Sequence, residues 1–168
     1  GAVKLSVAGE HVFGINSMDG RTLTHLLLAK GYQVVGTFRR NTLDLKADIA
    51  PLFDNSPALT FEYCDVSDSG SVKQLIEKHT DATEAYLLAA QSHVGFSFTS
   101  EEVSVLTNGQ SVLHVLKNVH ASAPKMRVYF AATSELMGGA NPETPYNEDS
   151  PYDCRSPYSI GKELGTRW

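Results

Sequence analysis

The chain has 168 residues, of which 42% are hydrophobic and 20% charged, a composition that supports one folded domain with a substantial core. Its formal net charge of -5 gives no electrostatic reason to expect a nucleic acid as partner, and no apolar run approaches the roughly 20 residues that span a membrane. The two cysteines, Cys64 and Cys154, lie far apart without a metal-ligand spacing, so we predict neither a disulfide framework nor a metal site, and a reducing, cytoplasmic compartment fits best.

Short, nearly continuous apolar runs alternate with segments of helical period. The runs lie at residues 12–15, 33–38, 59–63, 85–90 and 127–132. They are predicted strands, because successive apolar side chains suit strands that are buried on both faces. Between them, apolar residues recur at helical spacing, as at Val72, Leu75 and Ile76. The alternation predicts parallel strands with right-handed crossovers, and therefore an α/β fold with a Rossmann-like doubly wound parallel sheet.

Two segments lie outside this alternation. Residues 2–7 fit either an extra edge strand or a lead-in to the fold, and their pattern does not decide between the two. Residues 138–155 are rich in Gly, Pro, Asn, Asp and Tyr, which predicts a long loop before the final helix. Long loops in compact domains are often functional.

The first strand runs into a glycine-rich turn before a helix, where backbone N–H groups can hold a pyrophosphate. The predicted cofactor contacts of this turn are Gly14, Asn16, Ser17, Met18, Asp19 and Gly20. Their spacing follows G-x-x-G-x-x-G, except that Ser17 replaces the middle glycine. Because glycine permits close approach or a positive φ, the serine predicts a narrower cradle or a strained backbone. An ordinary strand-to-helix turn is the alternative interpretation.

A basic pair, Arg39 and Arg40, follows the second strand. A site selective for NAD places an acidic residue there, about 20 residues beyond the glycine turn, against the ribose 2′-hydroxyl. Two guanidinium groups favour a 2′-phosphate instead, because arginine donates paired hydrogen bonds to phosphate oxygens. The pair therefore predicts NADP as the cofactor, with a solvated basic pair as the alternative.

The ends of the third and fourth strands provide the remaining predicted cofactor contacts. Asp65, next to Val66, is placed to accept a hydrogen bond from the adenine amino group, although an Asp at a helix entry is the alternative. Small residues after the fourth strand allow a dinucleotide to lie across the strand ends. The predicted contacts there are Leu88, Ala89, Ala90 and Ser92. The neighbouring His93 is assigned no catalytic role.

The predicted catalytic residues lie near the end of the chain. Tyr158 and Lys162 are four residues apart, on one face of a predicted helix, where the lysine's charge favours the phenolate form that an acid/base catalyst needs. The fifth strand ends at Thr133 and Glu135, which offer a hydroxyl to orient a sugar and a carboxylate to act as a second base. The alternative for Glu135 is a neighbour of a helix N-cap or a partner in a loop salt bridge.

Read together, these residues resemble the GDP-mannose 4,6-dehydratase family of extended short-chain dehydrogenases/reductases over almost the whole chain. The resemblance is carried by Met18-Asp19-Gly20, Arg39-Arg40, Ala90-Gln91-Ser92-His93-Val94, Thr133-Ser134-Glu135-Leu136 and Arg155-Ser156-Pro157-Tyr158. It implies tightly held NADP and a nucleotide-sugar substrate, GDP-mannose. It also implies that Tyr158 removes the 4-hydroxyl proton while hydride passes from C4 to the nicotinamide, and that Lys162 supports Tyr158 and the ribose. Glu135 then removes the C5 proton, water leaves from C6, and the hydride returns to C6.

Three departures and the length qualify the resemblance. Ser17 replaces a glycine, and Leu87 and Leu106 stand at or near positions where the family commonly has Asn. Because the family is about twice as long, we expect residues 1–168 to form an NADP-binding domain with the substrate domain largely absent. The resemblance suggests a homo-oligomer. Two alternatives to dehydration stay open: a non-catalytic dinucleotide-binding or scaffold module, and a sugar-nucleotide epimerase or reductase, which lacks a carboxylate dedicated to C5.

Overall fold

The structure is a computed structural model that describes residues 9–13, 15, 17–38, 45–88, 105–138 and 145–168. In this part of the chain, parallel strands form one sheet. They are β1 (Gly9–Phe13), β2 (Gln33–Phe38), β3 (Leu59–Tyr63), β4 (Glu84–Leu87) and β5 (Arg127–Phe130). Their order, β3-β2-β1-β4-β5, with every neighbouring pair parallel, confirms the predicted Rossmann-like doubly wound sheet.

Strand bounds follow backbone pairing rather than the apolar runs. The predictions for β2 and β3 are confirmed, whereas β1 occupies Gly9–Phe13 instead of residues 12–15. β4 and β5 end at Leu87 and Phe130, before the predicted ends at residues 90 and 132. The reason lies in the register: Phe13 pairs with Leu87, and Leu87 with Phe130, at the carboxyl edge. The described apolar residues beyond that edge, such as Leu88 and Ala131, belong to connections, where the site is expected. Residues 89 and 90 lie outside the described residues.

Helices connect the strands and cover both faces of the sheet. They are α1 (Met18–Ala29), α2 (Leu45–Ile49), α3 (Ser69–Lys78), α4 (Ser111–Ser122) and α5 (Pro157–Arg167). Short 3-10 segments lie at Ala50–Phe53 and Ser134–Met137, and a π-helical segment, Leu106–Gln110, runs into α4. Within the described residues, none of these helices has the length and apolarity needed to cross a bilayer.

The core has two parts, one on each face of the sheet. One cluster joins α1 and α2 to the sheet through Leu27, Ile49 and Val34. The other joins α3 and α4 to it through residues such as Ile76 and Val115. Because successive side chains of a strand point to opposite faces, Val34 and Val35 of β2 belong to different clusters. Both faces are therefore apolar, as the continuous runs in the sequence predicted.

The final helix, α5, packs closely against the π-helical segment. A Cβ added at Gly109 would lie 2.8 Å from Leu164 Cδ2 and 3.0 Å from the Gly161 carbonyl oxygen. Only a residue without a side chain fits this contact, so Gly109 lets the helix that carries Tyr158 and Lys162 pack closely on the π-helical segment. Residues 145–156, the described part of the predicted loop before α5, contain neither helix nor strand, as predicted. Residues 2–7 lie outside the described residues.

Candidate functional site

The start of α5 holds Tyr158 through a reciprocal serine cap. Ser156 is the N-cap and accepts a hydrogen bond from the Ser159 backbone N–H at 3.1 Å. In return, the Ser159 hydroxyl accepts from the Ser156 N–H at 3.1 Å, and Pro157 occupies the first turn. Both serines are buried. These hydrogen bonds therefore fix the backbone on either side of Tyr158 before any ligand binds.

Lys162 links this helix to the end of β5. Its Nζ donates to the Ala131 carbonyl oxygen at 2.6 Å and lies 4.7 Å from the centroid of the Phe130 ring. Only 3% of the residue is exposed, and Tyr158 is also buried. Burial lowers the pKa of Lys162 to about 8, because a charged ammonium loses its hydration there. Lys162 is thus poised to gain or lose a proton near neutral pH.

Thr133 and Glu135 lie just beyond Ala131, in and before a 3-10 turn. Thr133 is the N-cap of the segment Ser134–Met137, and its Oγ1 accepts from the Glu135 backbone N–H at 3.3 Å. Glu135 is thus the neighbour of an N-cap, as the alternative interpretation predicted. This contact involves its backbone N–H, so the carboxylate can still act as a base. No ion pair to Glu135 forms among the residues that the structure describes, so the salt-bridge alternative gains no support.

A second connection joins the 3-10 turn to the loop before α5. The Asp153 N–H donates to the Leu136 carbonyl oxygen at 2.8 Å. Gly138 ends the turn with φ +85°, and a Cβ there would lie 2.8 Å from an Asp153 carboxylate oxygen. Glycine is therefore needed at this position for both its backbone and its space. The segment with Thr133 and Glu135 and the helix with Tyr158 and Lys162 are held together at two points.

The backbone conformation of Ser17 differs from the strained one expected of a serine that replaces a glycine. It is the N-cap of α1, with φ −74° and ψ 161°, and its Oγ accepts from the Gly20 N–H at 3.0 Å. This conformation is open to any residue, so the prediction of backbone strain is wrong. Ser17 shares the helix N-terminus with Met18, Asp19 and Gly20, whereas Gly14 and Asn16 lie outside the described residues.

These features place a serine-capped helix after β1 and a Tyr/Lys pair on the final helix in one fold. Residues 12–167 match the family described as GDP-mannose 4,6 dehydratase. The chain belongs to this dehydratase family.

Relatives of known function agree with this assignment. The chain is 38% identical over 162 residues to GDP-mannose 4,6 dehydratase 2 of Caenorhabditis elegans, an alignment covering 92% of the chain and 42% of the relative. It is 35% identical over 158 residues to human GDP-mannose 4,6 dehydratase, with 90% and 42% covered. The chain therefore spans less than half the length of these dehydratases.

Solved structures with the same fold come from neighbouring enzymes. The UDP-Glc/GlcNAc 4-epimerase of Campylobacter jejuni superimposes with a TM-score of 0.81 at 19% identity, over 95% of this chain and 47% of the epimerase. DesIV, the dTDP-glucose 4,6-dehydratase of Streptomyces venezuelae with NAD and TYD bound, gives 0.77 at 23% identity, over 94% and 49%. At these identities the likeness shows the fold.

The other residues predicted to hold the cofactor differ in what they do within the dehydratase fold. Asp65 Oδ1 accepts from the Ser67 N–H at 3.0 Å and the Ser67 hydroxyl at 2.6 Å, which favours a turn before α3. Val66 is buried in the core, and Leu88 packs beside the other core cluster. Predicted contacts that lie outside the described residues are Arg39, Arg40, Ala89, Ala90 and Ser92.

Two of the departures from the family pattern fall on structural elements. Leu87 is 1% exposed and belongs to the core cluster of α3 and α4, so it acts as a packing residue. Leu106 begins the π-helical segment, which the sequence analysis did not predict. Such segments are frequent at functional sites, and this one contains Asn108, a polar residue only 1% exposed. In the sequence, Gly109 was the signal of an unusual helical segment here, because a glycine inside a helical pattern often indicates close packing.

Proposed function

We propose that this chain provides the cofactor-binding and acid/base part of an NADP-dependent sugar-nucleotide 4,6-dehydratase, a lyase, with GDP-mannose as substrate. The contact of Lys162 Nζ with the Ala131 carbonyl oxygen carries this proposal. It brings the helix of Tyr158 to the strand end that leads into Thr133 and Glu135. The likeness to GDP-mannose dehydratases at 38% and 35% identity supports the substrate class. Residues 1–168 would form the NADP-binding domain.

Each of the four side chains has a role that its chemistry suits. Tyr158 would take the proton from the sugar 4-hydroxyl as that carbon is oxidised, with the Lys162 charge stabilising the phenolate. The Thr133 hydroxyl accepts from a backbone N–H and keeps its own proton, which it would donate to a sugar oxygen. Glu135 would remove the C5 proton and deliver it to the C6 hydroxyl, so that the C5 electron pair forms the C5–C6 double bond and water leaves. As hydride returns to C6, C5 would take up a proton, which balances the proton that Tyr158 removed from the 4-hydroxyl. When bound, NADP would accept hydride from C4 and return it to C6.

The described residues fit a dinucleotide at the end of β1. The N-terminus of α1 follows β1 at the carboxyl edge, where the strand order reverses between β1 and β4. Arg39 and Arg40 follow Phe38, the last residue of β2, which pairs with β1. Their guanidinium groups support NADP over NAD, although the related DesIV was solved with NAD. The cofactor contacts would be the residues named for the glycine turn and the strand ends, with Tyr158 and Lys162.

Glu135→Gln tests the reaction, because it removes the base and keeps the shape. With NADP and GDP-mannose in D₂O, we expect a form of the protein that spans the length of these dehydratases to give a 4-keto-6-deoxy product with deuterium at C5. The variant should lose roughly 100-fold or more of this rate. Glu148→Gln, the same change on an exposed residue of the loop before α5, is the matched control and should keep it. Product formation that survives Glu135→Gln would favour an epimerase or reductase.

One observation favours the non-catalytic module as a second candidate. The Ser17 hydroxyl already accepts the Gly20 N–H that a pyrophosphate would use. Titration calorimetry of NADP(H), with NAD(H) as control, separates the two candidates. Selective NADP(H) binding supports a working cofactor site, which the dehydratase needs, and failure of both dinucleotides to bind supports a scaffold module.

Surface and cysteine features support two further parts of the proposal. Cys64 and Cys154 are free, which suits a cytoplasmic protein. Ile160 in the first turn of α5 and Trp168 after its last residue are half exposed, at 50% and 52%, which suits a homo-oligomer that covers them. The net charge of -5 remains an argument against a nucleic-acid partner.

A further inference from the structure

Phe130 lies directly beside the Lys162 ammonium. It is the last residue of β5, and its ring packs against the core cluster of α3 and α4. The Lys162 Nζ lies over the ring, 4.7 Å from its centroid, a distance at which the negative ring face attracts a cation. On the adjoining residue, the Ala131 carbonyl oxygen accepts one Nζ–H at 2.6 Å. Two consecutive residues of one strand end therefore hold the same ammonium.

Gly165 makes room for this ring. A Cβ at position 165 would lie 2.8 Å from Phe130 Cζ and 2.9 Å from Phe130 Cε1. It would also lie 2.9 Å from Val112 Cγ2, so a side chain at position 165 would meet both neighbours and force one of them to shift. Glycine is unfavourable inside a helix, yet Gly165 is a buried residue in the last turn of α5. The close approach of the Phe130 ring gives the physical reason for the glycine.

We propose that Phe130 and Gly165 are positioning residues that act through Lys162. The ring face and the Ala131 carbonyl oxygen stabilise the ammonium where burial alone would drive it toward the neutral amine. They also fix its direction, so that its remaining N–H donors stay available for Tyr158 or a ribose hydroxyl. Phe130 itself touches no reacting atom. The catalytic meaning of this arrangement rests on the function proposed above, but the arrangement can be measured without turnover.

Lysine labelled with ¹³C at Cε reports the contact directly. A methylene group above a ring face shifts upfield in NMR, so the Lys162 signal, assigned by its loss in Lys162→Gln, should lie apart from those of exposed lysines. Phe130→Leu keeps apolar bulk and removes the ring face. We expect it to abolish the upfield shift and to lower the titration midpoint of Lys162 by about 0.5–1.5 pH units.

Tyr129→Leu is the matched control, because it removes the neighbouring aromatic residue of the same strand. Its ring is 56% exposed and lies against Tyr86, with centroids 6.0 Å apart. This variant should leave the Lys162 signal and midpoint unchanged. An unchanged midpoint in Phe130→Leu would overturn the proposal by reducing the ring to a packing role. A raised midpoint would also overturn it, since the ring would then serve only to exclude water.

Gly165→Ala provides a second variant that keeps the ring and displaces it. We expect a smaller upfield shift and a lower midpoint, as in Phe130→Leu but reduced. If Phe130→Leu does not fold, Gly165→Ala and the wild-type chemical shift decide the question, and a wild-type Lys162 signal without upfield displacement overturns the proposal. Loss of dehydration with these responses intact would count against the proposed function alone.

Discussion

The helices assigned to the cofactor and to the acid/base pair both begin at a serine, but the two starts differ. At α5, Ser156 and Ser159 cap each other and are 5% and 0% exposed. At α1, the Ser17 hydroxyl accepts from the Gly20 N–H, and the next residue, Met18, is 80% exposed. The α5 start is closed and self-sufficient, which suits the acid/base role proposed for Tyr158. The α1 start is open, which suits an anion that binds and leaves.

The largest expected effect comes from the buried charge on the α5 side. Lys162 has a pKa of about 8 in the folded chain, against an ordinary value of 10.5. Below pH 8 both folded and unfolded chains carry the proton, so the cost of burying the charge is present in full, about 3 kcal/mol. Between pH 8 and 10.5 the folded chain loses the proton first, and the cost disappears as pH rises.

The free energy of unfolding of Lys162→Met should therefore be higher than that of wild type at pH 7, and this difference should vanish by about pH 10.5. Urea unfolding of both chains across this pH range measures it. If the free energies of unfolding of the two chains changed in parallel with pH, the burial of Lys162 would be contradicted, because the lysine would then be hydrated in the folded chain.

The second effect compares the two caps by the same change. Ser156→Ala removes one half of a buried, reciprocal cap and leaves the Ser159 N–H without its acceptor, at a cost of about 1–2 kcal/mol. Ser17→Ala removes an acceptor at the more accessible start and should cost only about 0.5–1 kcal/mol, because water can replace it. Urea unfolding of both variants at one pH provides the measurement. Equal losses would show that the two starts do not differ in the way their burial indicates.

The smallest expected effect on stability tests whether the start of α1 is open to an anion or only capped more weakly than the start of α5. Ser17→Gly should change the free energy of unfolding by only a few tenths of a kcal/mol. It also releases the Gly20 N–H, so NADP affinity measured by calorimetry should rise roughly 2- to 10-fold. Weaker binding instead would mean that the Ser17 hydroxyl donates its own proton to the phosphate. Thr22→Ser, an exposed position on the same helix, serves as the control and should leave affinity unchanged.

The sheet was predictable because its signal is local. Buried parallel strands are apolar at successive positions, as β2 is, and the edge strand β3 alternates apolar and polar residues, so both were predicted with correct bounds. The ends of β1, β4 and β5 were not, because each depends on where a neighbouring strand stops pairing. Ser17 was predicted as a source of strain for a related reason. The glycine pattern shows that a turn occurs, but the φ of each residue depends on how the chain enters the helix.

The sequence by itself determined the fold class, because strand and helix periods and the i, i+4 spacing of Tyr158 and Lys162 are short-range properties. The family and the four proposed catalytic residues came from motifs by which the chain resembles that family. Only the tertiary structure decided what surrounds Lys162. Ala131 and Phe130 are distant from it in sequence, and they reach it because Gly109 and Gly165 let α5 pack closely. The lowered pKa of that lysine follows from burial, which arises only when these separate segments assemble.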